Sequence, residues 1–467
     1  MPSRWLPLDV RATLLGLAML AAGCAGLDPH NLIGRHLEDA LPSGNEVVPS
    51  VGRRPLSPEA RERAFEFIRT TIGERYYDPQ LHGIDWDAVT ARYHPLAMSA
   101  RDDEAFWDTL DRMAGELKDS HTRVESPRRV ALRKRDEAVS IGFAFAPVGG
   151  ELAVTTVASD SDAWWAGVRP GMVLQRVNGE DAKVAYERIL AETRLDSTER
   201  FRHLRAARRL VSGDEGTVAN IVFKRGDGSL LEANVTRRKA STRAFALERR
   251  LPSGFGYVRL SQWTLGTMSR FEDALDAAMK SPGIIIDLRG NPGGSLHMVN
   301  AVLDRFFRER TQLGRILTRT GRPVSVLFGA VEVVKLHTVA EGNPRAYTGA
   351  VAILLNGQSG SASELFAATM QAAGRATVIG EPSCGCLLGF LGYAAVPGGA
   401  ELAYSEIGFV MSNGKRIEGE GVIPDRVVPL TLADLLVSRD RALEDAQRWL
   451  ASATSRPAPP TVAGGAR

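Results

Sequence analysis

The apolar positions of this chain follow different periods in three successive stretches. After Ser57-Pro58-Glu59, a helix-start signal, Ala64, Phe65, Phe67, Ile68 and Ile72 recur at helical spacing, as do Phe106, Leu110, Met113 and Leu117. This predicts a helical domain over 55–135, its helices ending at Lys118-Asp119-Ser120-His121-Thr122. From Ser140-Ile141-Gly142-Phe143 the pattern changes to short alternating strands, with a hairpin signal at Asn178-Gly179. That stretch, 136–239, reads as a strand-rich domain. Beyond it, Gly256–Leu260, Gly283–Leu288 and Val351–Leu355 are strand-like runs that alternate with helical patterns. Runs that are apolar throughout belong to strands buried on both faces, so 240–447 is expected to be an α/β domain.

Two of those runs end in turns suited to chemistry. After Val351–Leu355 comes Asn356-Gly357-Gln358-Ser359-Gly360-Ser361, and then Leu365, Phe366, Thr369 and Met370 at helical spacing. Ser361 therefore stands at the start of a helix, where unpaired N–H groups can stabilise an oxyanion. The same residues also fit an ordinary capping box with Glu364. After Gly283–Leu288 comes Arg289-Gly290-Asn291-Pro292-Gly293-Gly294, which is either a close backbone approach to a ligand or a plain tight turn. His297, just beyond it, reads as a packed helix residue. No phosphate-cradling Lys-Ser/Thr follows the glycines, and no His/Cys/Asp group has metal-ligand spacing, so no cofactor and no metal are expected.

Arg4 and Arg11 precede an apolar run, Leu14–Ala22, too short for a lasting transmembrane helix. Leu20-Ala21-Ala22-Gly23-Cys24 resembles a bacterial lipoprotein cleavage box. It implies a signal peptide over 1–23 and a lipid on Cys24 that anchors the chain facing the periplasm. Ala25, rather than Asp, leans toward the outer membrane. Residues 24–54 read as a tether and 448–467 as a disordered tail. The net charge of +3, or +2 once residues 1–23 are removed, gives no nucleic-acid surface. Arg200, Arg202, Arg205, Arg208 and Arg209 read as a solvated helix face. Besides Cys24 there are only Cys384 and Cys386, too few to staple a fold, with a disulfide between them left open and a bystander role the default.

Ala166-Gly167-Val168-Arg169-Pro170-Gly171-Met172 with Val177-Asn178-Gly179 resembles the signature of a PDZ domain. The resemblance implies that Ser140, Ile141, Gly142 and Phe143 form the loop that binds a peptide C-terminus. The helical prelude, the PDZ-like insert, "DLRGNPGG" and "NGQSGSASE" together resemble the C-terminal-processing (tail-specific) serine proteases over roughly 57–447. That implies a core of ββα units in a crotonase/ClpP-like spiral and Ser361 as nucleophile. The oxyanion hole would come from Gly293 or Gly294 together with Ala362. The lysine of the best-known branch would fall at Cys386, and no lysine lies between Ser361 and Lys415. Ser120-His121 and Glu418, ahead of Gly421-Val422-Ile423-Pro424-Asp425, instead resemble the tricorn-like branch. There His121 would be the base, Glu418 its carboxylate and Ser120 an auxiliary. The expected partners are polypeptides, with the oligomeric state left open; the alternative is an inactive peptide-binding scaffold.

Overall fold

The computed structural model describes residue 32 and residues 55–455. The cleavage box, Cys24, the rest of the tether and residues 456–467 lie outside the described residues. Among the described residues no helix is long and apolar enough to cross a membrane.

The first stretch folds into α1 (Pro58–Arg75), α2 (Trp86–Met98) and α3 (Asp103–Gly115). Ser57 Oγ accepts the Ala60 N–H and Asp102 accepts the Ala105 N–H, so α1 and α3 begin on capping side chains. Phe65, Ile68 and Ile72 meet Phe106, Leu110 and Met113 in a core that also takes in Leu388, Leu402 and Tyr404 from far along the chain. The next strand, β1 (Arg123–Glu125), pairs antiparallel with Ala400–Ala403. The helical lobe is thereby clasped to the third unit by both packing and strand pairing.

The second stretch begins with β2 (Glu137–Ser140), which pairs with Arg238–Ser241, so the two ends of the insert meet. Between them β3 (Phe143–Val148), β4 (Glu151–Val157) and β5 (Val173–Val177) form one sheet with two later strands. α4 (Ala182–Glu192) and α5 (Glu199–Val211) intervene before β6 (Val218–Lys224) and β7 (Leu230–Thr236). The order is β3-β4-β5-β6-β7, antiparallel throughout.

The third unit is built on β8 (Ala246–Arg250), β9 (Gly256–Leu260), β10 (Gly283–Asp287) and β11 (Ala350–Leu355). After α6 (Ala362–Ala372) come β12 (Thr377–Gly380) and β13 (Arg426–Val427). They line up in that order, β8 antiparallel and the rest parallel. Parallel strands place their carboxyl ends, and the turns at Arg289 and Asn356, along one edge, where open α/β sheets carry their sites. A separate antiparallel sheet (His337–Ala340, Thr311–Thr318, Ile407–Met411, Leu388–Gly389) stands beside it.

The chain closes with α7 (Arg441–Thr454), whose Ala446 and Leu450 pack against Ile285, Ala352 and Leu354. Leu450 is fully buried, a contribution of about 2 kcal/mol. The expectation of a disordered tail from 448 therefore fails for 448–454, which the sheet face holds as helix.

Candidate active site

The nucleophile candidate is positioned by the sheet. β11, buried from Val351 to Leu355, delivers the chain into a tight turn that ends at Ser361, the N-cap of α6. Ser361 has φ 53°, a conformation costly for a residue with a side chain. Its surroundings impose it. The Ser361 N–H donates both to Cys386 O (3.1 Å) and to Glu364 Oε2 (2.9 Å). The Gly360 N–H donates to Asn291 O (3.0 Å), and Ser363 Oγ, which accepts from Trp263 Nε1, donates to the same carbonyl.

His121 reaches this point from the helical lobe. Its Nε2 lies 3.0 Å from Ser361 Oγ. The loop that carries it is wound around the buried Asp119. Asp119 Oδ1 accepts the His121 N–H (2.8 Å), and Oδ2 accepts the hydroxyls of Thr122 (2.5 Å) and Ser405 (2.6 Å). Burial lowers the His121 pKa from 6.5 to about 4; Asp119 opposes this and Arg123 adds to it. The ring is therefore neutral near pH 7, and with its proton on Nδ1 it presents Nε2 to the serine hydroxyl as an acceptor. Phe390 stands beside the ring, centroids 6.2 Å apart, and the Arg123 guanidinium lies over Phe390 and Tyr393.

The other expected residues divide. Glu418 turns its carboxylate into buried space, where burial first and then Asp119 push its pKa well up. The Ser197 hydroxyl and the Leu387 N–H are close enough to favour its charged form, although neither makes a hydrogen bond of good geometry to it. No direct bond joins Glu418 to His121, whose Nδ1 is buried without a partner. Ser120 is tied elsewhere: its hydroxyl accepts the Ser197 N–H (3.0 Å) and its N–H donates to Ser197 Oγ (2.9 Å). It thereby tethers the loop of His121, to which it is expected to be an auxiliary, to the insert.

Of the two glycines, Gly293 gives its N–H to Asn291 Oδ1 (2.9 Å), which leaves Gly294 and Ala362 as the oxyanion-hole candidates. Close packing explains the glycines themselves. A Cβ on Gly293 would stand 2.5 Å from Ser361 Cβ, and one on Gly294 2.0 Å from Trp263 O. In the segment expected to bind a peptide end, Ser140 belongs to β2, Ile141 is buried, the Gly142 N–H donates to Ser140 Oγ (3.0 Å) and Phe143 opens β3. His297 sits in the helix Leu296–Leu303, exposed rather than packed.

Glu364 both caps and orients. Besides the Ser361 N–H it accepts Ser383 Oγ (2.6 Å), Gly385 N (2.7 Å) and Cys386 N (3.0 Å). Burial raises its pKa to about 7 against the pull of those donors. Cys384 and Cys386 are joined in a disulfide, contrary to the default of bystander thiols. Nor is the arginine run simply a solvated face. Arg200 donates to Ser383 O and Glu420 O, Arg202 to Leu190 O, and Arg205 pairs with Asp196.

Several supporting residues went unread in the sequence: Asp119, Arg194, Ser197 and Thr198. Arg194 donates to Asp119 O, Thr122 O and Asp111, and Thr198 Oγ1 to Cys384 O. Only Asp119 carried a local signal, since an Asp two residues before a turn residue can accept its N–H.

Comparison with known proteins finds family matches over two parts of the chain. Residues 254–428 match the profile described as peptidase family S41, and residues 57–115 that of the tricorn protease C1 domain. The chain carries a domain of that peptidase family. A tricorn protease homologue of Streptomyces coelicolor is 26% identical over 419 residues, 84% of this chain and 32% of that one. A CtpA-like serine protease of Staphylococcus epidermidis is 23% identical over 371 residues, 78% of this chain and 65% of that one. The chain thus spans about a third and just under two thirds of those two relatives. Among solved structures, the photosystem II D1 C-terminal processing protease superposes with a TM-score of 0.52 at 21% identity, covering 84% of this chain and 97% of that one. Mature CPAF superposes at 0.61 and 14% identity, covering 85% and 97%. Both likenesses are of fold.

Proposed function

We propose that this protein is a serine endopeptidase that cleaves unfolded or C-terminally tagged polypeptides, with Ser361 as nucleophile and His121 as base. The observation that carries the reading is the 3.0 Å contact between His121 Nε2 and Ser361 Oγ within a peptidase-family domain. His121 takes the serine proton as Oγ attacks the scissile carbonyl, and returns it to the leaving amine. Water then opens the acyl-enzyme by the same exchange. The oxyanion is held by the N–H groups of Gly294 and Ala362. Asp119 supplies negative charge near the imidazolium that forms in transit.

The core is read as a crotonase-like ββα spiral and the insert as a PDZ-like domain. α5 supports the idea that the insert gates the site, because Thr198 and Arg200 at its start bond to the backbone of 383–384 and of Glu420. The Cys24 box supports attachment to the cell envelope by a lipid.

The test is hydrolysis of an unfolded protein by the purified wild type and by Ser361→Ala and His121→Ala. Each substitution is expected to cost on the order of 10³-fold or more in rate. Wild-type protein that neither hydrolyses such substrates nor reacts with a fluorophosphonate at Ser361 would overturn the reading.

A further inference from the structure

The segment behind Ser361 has an unusual construction. In Ser383-Cys384-Gly385-Cys386, every backbone contact made toward the nucleophile flanks one covalent link, the Cys384–Cys386 disulfide. Cys386 O accepts the Ser361 N–H (3.1 Å), and the Cys384 N–H donates to Ser359 O (2.9 Å). The N–H groups of Gly385 and Cys386 share the Glu364 carboxylate with Ser361. Both sulfurs are buried, and a Cβ on Gly360 would stand 3.0 Å from Cys386 Sγ. The Cys386 sulfur and the Cys384 Cβ therefore pack against the turn that presents the nucleophile. Glu364 oxygen and both sulfurs lie within 4.8 Å of one another.

We propose that this disulfide is a redox switch on the nucleophile: oxidised, it holds the Ser361 turn ready to react; reduced, it releases it. The proposal rests on Ser361 being the reactive serine. The oxidised form is assigned as the active one because the Ser361–His121 contact is complete with the disulfide in place.

The chemistry is thiol–disulfide exchange with a small or protein dithiol. One thiolate of the dithiol attacks the sulfur of Cys386, the slightly less buried residue of the two, and the bond to Cys384 breaks, with Cys384 leaving as thiolate. The second thiol of the dithiol then attacks its own sulfur in the mixed disulfide and releases Cys386. Two electrons pass to the protein, the dithiol becomes a disulfide, and the two protein thiolates take up two protons.

The consequence for Ser361 follows from packing and hydrogen bonding. Non-bonded sulfurs stand farther apart than bonded ones. Here the separation has to be made against the Gly360 backbone on one side. On the other stands Thr198, whose Cγ2 would lie 2.5 Å from a Cβ on Gly385. The two new S–H groups also lie beside Glu364 and compete for the carboxylate that fixes the Ser361 N–H. Ser361 is held in a left-handed conformation by those bonds, so loosening them lets it relax away from His121.

The test compares full-length protein, as purified and after dithiothreitol, with the state of Cys384 and Cys386 followed by alkylation and mass spectrometry. Reduction is expected to lower hydrolysis of an unfolded protein such as casein by at least about tenfold, with recovery on reoxidation. Amide hydrogen exchange over 359–364 and 383–387 is expected to quicken. The double substitution Cys384→Ser, Cys386→Ser is expected to hydrolyse slowly whether or not reductant is present. Reduced protein with both thiols alkylated that works at the oxidised rate would overturn the switch. So would a disulfide that resists dithiothreitol while the fold persists. Should the oxidised protein cleave nothing, the peptidase reading fails on its own. The exchange measurement still decides whether reduction releases the Ser361 turn: faster exchange over 359–364 upholds the release, and unchanged exchange refutes it.

Discussion

His121 Nε2 and Ser361 Oγ stand 3.0 Å apart although 240 residues of chain separate them. The contact sets a pH dependence. The base works only when neutral, and burial lowers its pKa to about 4. The acid limb of kcat/KM, which reports the free enzyme, is expected near that value rather than near the ordinary 6.5. A profile that falls already around the ordinary histidine value would mean that water reaches the ring and that the pocket is more open than described.

Asp119 holds the His121 loop without touching the reacting atoms. Asp119→Ala removes the acceptor of one backbone N–H and two hydroxyls, all buried. The expected loss of stability is about 2–4 kcal/mol, measured by urea unfolding. A shift of His121 by about 1 Å would lower kcat by roughly 10²-fold. Because the residue positions the base and does not bind substrate, KM is expected to change little. Asp119→Asn keeps one acceptor and should recover part of kcat.

Glu364 and His121 give stability opposite slopes with pH. The Glu364 pKa is raised from 4.5 to about 7, so its folded form keeps a proton that the unfolded chain releases. Its contribution is complete below 4.5 and is lost as pH rises through about 7. His121, depressed from 6.5 to about 4, contributes above 6.5 and loses that contribution as pH falls through about 4. Glu364→Gln is expected to flatten the first slope in unfolding measurements at about pH 5 and about pH 8. It should also lower hydrolysis, since an amide NH₂ cannot accept the Ser361, Gly385 and Cys386 N–H groups as a carboxylate does.

Gly294→Ala tests the oxyanion turn. The new Cβ would meet Trp263 O at 2.0 Å, and at φ 137° the backbone cannot accept it without moving. Loss of hydrolysis on the order of 10²-fold or more is expected, as for removal of an oxyanion donor. Gly290→Ala is the comparison, with φ 76° but open space around its Cβ. It should cost only the conformational penalty, about 1–2 kcal/mol of stability, and leave the rate near wild type.

How far these features could be read from the sequence depended on their range. Val351–Leu355 and Gly283–Leu288 announced themselves because strands buried on both faces tolerate little but apolar residues. Ser361 and the glycines of 293–294 stood out because sharp turns need special residues, and the tricorn-like resemblance pointed to His121. The partners of those residues did not stand out. Arg194 and Thr198 act across the fold on Asp119 and Cys384, and an arginine bonded to a distant carbonyl looks, in one dimension, like one bonded to water. The tether of Ser120 was hidden for the same reason, its partner Ser197 lying across a domain boundary. The end of α7 was misread because Ala446 and Leu450 are too sparse, among polar neighbours, to reveal the sheet face that covers them.

The clasp between helical lobe and α/β core has a meaning beyond geometry. The proposed nucleophile belongs to one body and its proposed base to another, joined by the pairing of β1 with Ala400–Ala403. A chain emerging during synthesis therefore carries His121 long before Ser361 exists, and the two meet only after the last third, with Ala400–Ala403, has been made and docked. The proposed Ser361–His121 pair is thus assembled only as folding finishes.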